Sequence, residues 1–156
     1  MKRILFVCTG NTCRSSMAEA LLRHSLEKEG LDREYFVSSA GTSAFPGMPA
    51  SHNAAEALKE LGIDLSKHFS SIIDNDIIDR ADLILTMTAS HKMRLLQLRP
   101  DAASRTYTLS EYCEAAGNAD IYDPFGGDID IYINCRDEIS KYIEILVNKL
   151  KEEGEH

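Results

Sequence analysis

Cys8 and Arg14 are the first residues of this chain whose types and spacing could carry out chemistry. They bound a loop of small and polar residues that follows the apolar run at positions 4–7 and precedes a helical pattern. Backbone N–H groups in such a loop favour a bound anion, and the planar guanidinium of Arg14 suits a tetrahedral oxyanion. The helix dipole and the guanidinium are expected to hold Cys8 as a thiolate. A thiolate that faces a bound phosphoryl group is a nucleophile positioned for covalent catalysis.

An ordinary packing role for Cys8 is the competing interpretation, because a cysteine after a strand often behaves as a small buried hydrophobe. Three features favour the phosphoryl site. They are the C-x-x-x-x-x-R spacing, Gly10 and Asn11 within the loop, and the S-x-x-E spacing of a capping box at Ser16 and Glu19. We therefore predict Cys8 as the nucleophile. The predicted phosphate-binding residues of the loop are Thr9, Gly10, Asn11, Thr12, Cys13, Arg14 and Ser15.

Asp123 is a second candidate for chemistry, in a loop at positions 121–127 that also contains Pro124 and paired glycines. Cleavage of a phosphoryl bond needs an acid that protonates the leaving group, and a loop separate from the nucleophile could supply it. The plainer interpretation is that the Asp-Pro pair only starts a turn.

Strands alternate with helices along the chain. The predicted strands lie at 4–7, 35–40, 83–87 and 106–108, and the predicted helices lie at 16–29, 51–61, 73–80, 90–98 and 129–152. This alternation predicts a single α/β domain over residues 1–156, in which a doubly wound parallel sheet has helices on both faces. Ligands in such folds bind beyond the carboxyl ends of the strands, which is where the Cys8 loop lies.

The composition predicts a soluble cytoplasmic protein. The 156 residues suit one domain, and they include neither an apolar run of membrane-spanning length nor a signal-type N-terminal segment. A net charge of −8 argues against binding to nucleic acid or to anionic membranes. The cysteines lack C-x-x-C pairs and zinc-finger spacing, so we expect a reducing compartment and no structural zinc site. They are Cys8, Cys13, Cys113 and Cys135.

The string V-C-T-G-N-T-C-R-S-S-M-A-E at positions 7–19 closely resembles the low-molecular-weight protein tyrosine phosphatase family, and the resemblance covers nearly the whole chain. It implies a flavodoxin-like sheet of four strands and a phosphocysteine intermediate on Cys8. It also implies that Asp123 is the general acid and later the base that activates water. The expected substrates are phosphorylated proteins. We expect the protein to be a monomer that needs no cofactor and no metal. We predict that chelators leave the activity intact.

Four further residues have a predicted role, and three of them also have a plainer alternative. Ser15 is expected to donate its hydroxyl to the Cys8 thiolate, although it could also cap the helix. Asn11 is expected to hold the loop, because asparagine tolerates a left-handed backbone. By analogy with the family, His68 is expected to support that loop. The alternative is that His68 is a solvated surface histidine. The family resemblance also implies a reversible, protective disulfide between Cys8 and Cys13, whereas loop packing alone could explain Cys13.

Thr12 and Phe125 indicate the substrate class. Tyrosine phosphatases of the family usually carry a bulky aliphatic residue at the first position and Tyr or Trp at the second. Here the string D-P-F-G-G-D-I-D-I-Y-I-N-C-R-D-E from position 123 resembles the bacterial protein-arginine phosphatase branch. A threonine hydroxyl suits a polar, planar phosphoguanidinium, and Asp123 could pair with that group. We therefore predict phosphoarginine, with phosphotyrosine as the alternative.

Two alternatives come from other classes of protein. Arsenate reductases related to this fold relay a disulfide through a closely spaced cysteine pair, whereas Cys113 and Cys135 are 22 positions apart. A non-hydrolytic phosphate-binding or phosphocarrier module would not need both Arg14 and an acid at Asp123. We discount both.

Overall fold

The four predicted strands form one parallel sheet. In the computed structural model, which describes residues 1–113 and 120–154, strand β1 is Lys2–Cys8, β2 is Tyr35–Gly41, β3 is Leu83–Thr86 and β4 is Thr106–Thr108. The strand order is β2-β1-β3-β4, and each neighbouring pair is parallel. Strand β1 is therefore central, and β4 is an edge strand as predicted. The predicted α/β class with a four-stranded parallel sheet is confirmed.

Six α-helices accompany the sheet within the described residues. They are α1 (Arg14–Lys28), α2 (His52–Lys59), α3 (Asn75–Arg80), α4 (Ala89–Leu98), α5 (Leu109–Tyr112) and α6 (Ile129–Gly154). A 3₁₀ turn, Pro100–Arg105, connects α4 to β4.

Strand β1 contributes to two cores, because successive side chains of a strand point to opposite faces of the sheet. Ile4 and Phe6 belong to the larger core, which includes residues of α1, α2 and α6. Leu5 and Val7 belong to the smaller core, which includes residues of α3 and α4. All four side chains are buried. The result is the expected three-layer arrangement, with β1 held from both faces.

The predicted capping box at Ser16 and Glu19 is wrong. Helix α1 begins at Arg14, and no side chain caps its first turn. The Ser16 hydroxyl instead donates to the Cys13 carbonyl at 2.8 Å, and the Glu19 carboxylate accepts a bond from a hydroxyl of β2. The physical reason is that the backbone N–H of Met17 already bonds to the Cys13 carbonyl at 3.0 Å. The helix therefore starts directly behind the loop, two residues before the predicted start.

Several other boundaries differ by one or two residues. Helix α2 ends at Lys59 rather than 61, α3 begins after its Asp74 cap rather than at 73, and α4 begins at Ala89 rather than 90. Helix α5 was not predicted. It is a single turn closed by a capping box between Thr108 and Glu111, and it is too short to show an apolar helical period.

The apolar stripe of α6 is confirmed as core packing. Tyr142 alone among its predicted members is half-buried. The buried members of the stripe are Cys135, Ile139, Ile143, Leu146, Val147 and Leu150.

Although α6 is 26 residues long, none of the described helices combines the length and the apolar character that a membrane span requires.

Candidate active site

The carboxyl end of β1 carries the predicted nucleophile. Cys8 is the last residue of β1, is buried, and pairs in register with Gly41 at the end of β2. The loop then runs to Arg14, the first residue of α1. Among residues 1–113 and 120–154, the backbone N–H groups from Gly10 to Cys13 have no hydrogen-bond acceptor. Such consecutive free N–H groups are available to an anion.

Asn11 holds the loop in shape. Its backbone is left-handed, with a φ of 61°. Its buried amide nitrogen donates to the hydroxyls of Ser15 at 2.8 Å and Ser39 at 2.9 Å, and its amide oxygen accepts the backbone N–H of Ser71 at 2.9 Å. His68 Nε2 lies 2.7 Å from the Asn11 carbonyl oxygen. These contacts agree with the predicted structural role of Asn11, and they favour the interpretation in which His68 supports the loop.

Ser15 is directed at Cys8, the predicted nucleophile. Its Oγ lies 2.8 Å from Cys8 Sγ, and both residues are buried. Because Ser15 Oγ already accepts a hydrogen bond from the Asn11 amide, its own proton is free for the sulfur. A hydroxyl that donates to a thiolate stabilises the sulfur both as a nucleophile and as a leaving group. The capping alternative fails, because no side-chain cap is present at the start of α1.

Arg14 joins the loop to the segment that carries Asp123. Its Nη1 donates to the Ile121 carbonyl at 3.1 Å, and its Nη2 lies 3.6 Å from Asp123 Oδ2. The Arg14 side chain is 6% exposed and the Asp123 side chain 53% exposed. The guanidinium is therefore a fixed charge at the base of the site, while the carboxylate is accessible to a bound molecule.

One pocket of about 270 Å³ brings together the predicted site residues except Ser15, which does not line it. Phe125 lies at its edge and is 80% exposed, so its ring is accessible to a leaving group. Asp123 Oδ1 also accepts the backbone N–H of Phe125 at 3.1 Å. The turn interpretation of Asp123 is therefore correct and compatible with an acid role. The lining residues are Cys8, Thr9, Gly10, Asn11, Thr12, Cys13, Arg14, Asp123 and Phe125.

Cys13 faces away from bulk solvent toward two hydroxyls. Its Sγ lies 3.3 Å from the Tyr132 hydroxyl and 3.5 Å from Ser51 Oγ. Burial, followed by the hydrogen bond with Cys13, raises the pKa of Tyr132 to about 12. Ser51 caps α2 as predicted, by accepting the backbone N–H of Ala54 at 3.3 Å. Cys8 and Cys13 are both free thiols. The sequence interpretation missed the approach of Tyr132 to the loop.

His91 of α4 is a second neighbour of the loop that the sequence interpretation missed. Its Nε2 lies 2.8 Å from Thr9 Oγ1, and its Nδ1 lies 3.0 Å from Thr88 Oγ1. Burial, and then the positive charge of Arg14, lower the pKa of His91 to about 4. A topological signal could have found this residue, because it follows a strand that pairs with β1 and therefore lies at the same edge of the sheet.

The arrangement can carry out phosphoryl transfer. It combines a thiol, a fixed cation, free backbone N–H groups and a carboxylate from a separate segment, which are the groups that attack phosphorus, stabilise its oxygens and move a proton. In the part of the chain that the structure describes, no group of three or more His, Cys, Asp or Glu residues is arranged to hold a metal ion. Independence from metals stays a prediction.

Known proteins resemble this chain along almost its whole length. A protein-arginine-phosphatase of Bacillus subtilis (strain 168) is 43% identical over 150 residues, which are 96% of this chain and 97% of the relative. An arsenate reductase of Brevibacillus brevis is 37% identical over 154 residues, which are 99% of this chain and 97% of the relative.

Solved structures share the fold. The YwlE arginine phosphatase, in a cysteine-to-serine variant with a phosphorylated active-site serine, matches with a TM-score of 0.91 at 43% identity. The match covers 96% of this chain and 95% of that chain. The model of the family "Low molecular weight phosphotyrosine protein phosphatase" matches residues 3–156. The chain therefore belongs to the low-molecular-weight phosphotyrosine protein phosphatase family.

Proposed function

We propose that this protein hydrolyses phosphoarginine in phosphorylated proteins through a phosphocysteine on Cys8. One observation carries the proposal: Cys8, Arg14 and Asp123 line the same pocket, with Arg14 Nη2 3.6 Å from Asp123 Oδ2. A nucleophile, a charge stabiliser and a proton donor are the three parts that thiol-based phosphoryl transfer needs. The phosphorylated serine in the related arginine phosphatase supports a covalent phosphoenzyme.

The reaction has two steps. First, the Cys8 thiolate attacks phosphorus, so that a P–S bond forms and the P–N bond to the arginine side chain breaks. Arg14 and the free N–H groups of the loop stabilise the phosphoryl oxygens, and protonated Asp123 gives its proton to the leaving guanidine nitrogen. Second, the Asp123 carboxylate takes a proton from water, whose oxygen bonds to phosphorus as the P–S bond breaks. Inorganic phosphate leaves, and Ser15, 2.8 Å from Cys8 Sγ, stabilises the released thiolate.

Thr12 supports phosphoarginine as the substrate. It is half-buried in the pocket wall, and within the described residues its hydroxyl has one long contact, 3.8 Å to Cys13 Sγ. The hydroxyl therefore remains able to bond with a phosphoguanidinium N–H. A larger aliphatic side chain would remove the hydroxyl and narrow the space above Cys8. The ionised Asp123 carboxylate suits the planar guanidinium of the released arginine.

The test compares kcat/KM for a phosphoarginine peptide and a phosphotyrosine peptide in wild type, Thr12→Val and Thr12→Ile. Wild type should prefer phosphoarginine. Thr12→Val keeps the volume and removes the hydroxyl, so it should lose about tenfold on phosphoarginine. Thr12→Ile should also shift the preference toward phosphotyrosine. A wild-type preference for phosphotyrosine of about tenfold, or about 1.4 kcal/mol, would overturn the substrate assignment.

Phosphotyrosine hydrolysis is the second candidate function. The matching family is one of phosphotyrosine protein phosphatases, and the exposed ring of Phe125 could pack against a phenyl ring. Arsenate reduction is disfavoured, even though one relative is an arsenate reductase. Burial raises the pKa of Cys113 to about 11 and the pKa of Cys135 to about 12. Thiols that stay protonated are poor relays for a disulfide.

We further propose phosphorylated proteins as partners, a monomeric state and a cytoplasmic location. The four free cysteines suit a reducing compartment, and the net charge of −8 disfavours nucleic acid and anionic membranes.

The proposed protective disulfide joins Cys8 to Cys13. Peroxide would convert the Cys8 thiolate to a sulfenic acid, and the Cys13 thiol would then form the S–S bond and release water. In Cys13→Ser, further peroxide would oxidise the unprotected sulfenic acid to a sulfinic acid, which thiols do not reduce. Activity lost to excess peroxide should therefore return with dithiothreitol in wild type and should not return in Cys13→Ser. Equal recovery in both proteins would argue against the disulfide.

A further inference from the structure

We propose that His91 is a positioning residue, which orients the Thr9 hydroxyl as a hydrogen-bond donor to the phosphoryl group bound in the Cys8 loop. The inference rests on the proposed phosphatase function. Thr9 directly follows the nucleophile and lines the same pocket as Arg14 and Asp123. Thr9 is exposed, whereas His91 is 6% exposed. The arrangement is a buried imidazole that supports an accessible hydroxyl.

The start of α4 holds the His91 ring in one orientation. Both ring nitrogens are paired: Nε2 lies 2.8 Å from Thr9 Oγ1, and Nδ1 lies 3.0 Å from Thr88 Oγ1. Thr88 is also the N-cap of α4, and its Oγ1 accepts the backbone N–H of His91 at 3.2 Å. The ring cannot turn over without losing both side-chain contacts. The position of the Thr9 hydroxyl is therefore linked to the helix start.

We assign one direction to the hydrogen bonds of this chain of groups. Because Thr88 Oγ1 accepts the His91 backbone N–H, its own proton is free to be donated, and Nδ1 is the acceptor within reach at 3.0 Å. A neutral imidazole that accepts at Nδ1 carries its proton on Nε2. Nε2–H then donates to Thr9 Oγ1, which leaves the Thr9 proton for a different acceptor in the pocket.

The surroundings of His91 keep its ring neutral, as this direction requires. Burial and the nearby Arg14 guanidinium lower the pKa of His91 to about 4, against the smaller opposing effects of Asp120 and Asp123. A phosphoryl oxygen in the loop would then receive a charge-assisted hydrogen bond from a hydroxyl whose position is set in advance. The other tautomer would direct the Thr9 proton at His91 and away from the anion.

Two substitutions separate positioning from packing. His91→Asn keeps a polar group near the place of Nδ1 and has no atom near Nε2, whereas His91→Gln can present an amide N–H near Nε2. Thr9→Val removes the hydroxyl at constant volume. His91→Asn and Thr9→Val should each weaken binding of inorganic phosphate, and each should lower kcat/KM on p-nitrophenyl phosphate, by about tenfold. His91→Gln should retain most of both quantities.

The double variant tests whether His91 acts through Thr9. If it does, Thr9→Val combined with His91→Asn should bind phosphate no more weakly than the weaker single variant. Losses that multiply, or a His91→Asn variant that equals wild type, would overturn the proposal. His24→Asn is the matched control, because His24 is a half-buried histidine of α1 outside the active-site pocket. It should bind phosphate as wild type does.

Nitrogen NMR of the histidine side chains gives a readout independent of turnover. The His91 ring should carry its proton on Nε2, with Nδ1 unprotonated, and a proton on Nδ1 would overturn the proposal. Phosphate titration and NMR need no catalysis, so they test His91 even if the protein proves inactive on phosphopeptides. Failure of the proposed function would be seen separately, as absent or tyrosine-selective turnover by wild type.

Discussion

Asp123 is oriented by two neighbours at the residue scale. Its Oδ1 accepts the backbone N–H of Phe125 at 3.1 Å, and its Oδ2 lies 3.6 Å from Arg14 Nη2. The turn sets the direction of the carboxyl group, and the guanidinium holds it above the loop. Because about half of the side chain is exposed, at 53%, both a leaving group and a water molecule can reach it. This geometry suits a residue that donates a proton in one step and accepts one in the next.

Asp123→Asn should therefore lower kcat/KM, which reports the step that forms the phosphocysteine, by about a hundredfold or more on a phosphoarginine peptide, because the leaving nitrogen is basic and needs a proton. The loss should be smaller on p-nitrophenyl phosphate, whose leaving group is a weak base. Steady-state kinetics on the two substrates measures the difference. Asp128→Asn is the control: Asp128 Oδ1 accepts the Ile131 N–H at the start of α6, and an asparagine can do the same. Equal losses on both substrates would contradict the acid role.

At the scale of elements, the end of β2 supports the Cys8 loop. The backbone N–H of Thr42 donates to the Cys8 carbonyl at 2.8 Å, and that of Ser43 donates to the Thr9 carbonyl at 3.0 Å. Gly41 makes this close approach possible, because a Cβ at that position would lie 2.2 Å from the Thr9 carbonyl oxygen. The conformation of the loop therefore depends on a glycine from another strand.

Gly41→Ala should lower the free energy of unfolding by about 2 kcal/mol, since backbone must move to admit the methyl group. Urea denaturation measures this quantity. Gly10→Ala is the matched control, because its Cβ would meet nothing closer than Thr12 Oγ1 at 3.8 Å. Its free energy of unfolding should stay within about 0.5 kcal/mol of wild type. If both substitutions destabilise the protein equally, the close contact with Thr9 is not the cause.

At the scale of the whole molecule, the buried His91 makes stability depend on pH. Its pKa is about 4 in the folded protein, against 6.5 for the free side chain, and burial is the main cause. Between these two values the unfolded chain binds more protons than the folded one, so the free energy of unfolding falls as the pH decreases. The stabilisation that comes from burying a neutral His91 is complete above the pKa of the unfolded state. It is lost progressively as the pH falls toward the pKa of the folded state.

Wild type should therefore lose more stability than His91→Gln between about pH 7 and about pH 5, by about 1–2 kcal/mol. Urea denaturation of both proteins at the two pH values measures the difference, and the other titrating groups affect both proteins alike. Parallel pH profiles would contradict the neutral burial of His91.

Local sequence determined the strand-loop-helix unit, and it predicted the chemistry of that unit. The alternation of strands and helices, the apolar run at 4–7 and the spacing from Cys8 to Arg14 predicted the sheet, its edge strand and the anion site. These features depend on neighbours in the chain, whose relative positions follow from local geometry. The same reasoning failed at Ser16, because the S-x-x-E spacing does not report where the preceding loop closes into a helix.

Tertiary structure alone decided which distant side chains reach the loop. Strand order brings His91 to Thr9, and the packing of α6 brings Tyr132 to Cys13, with contacts of 2.8 Å and 3.3 Å. The approach of Asp123 to Arg14 depends in the same way on the path of residues 120–127. Such contacts follow from the register and layering of whole elements, which no local spacing encodes. The sequence by itself thus determined the strand-loop-helix unit that carries Cys8 and Arg14, and the fold decided which distant side chains support it.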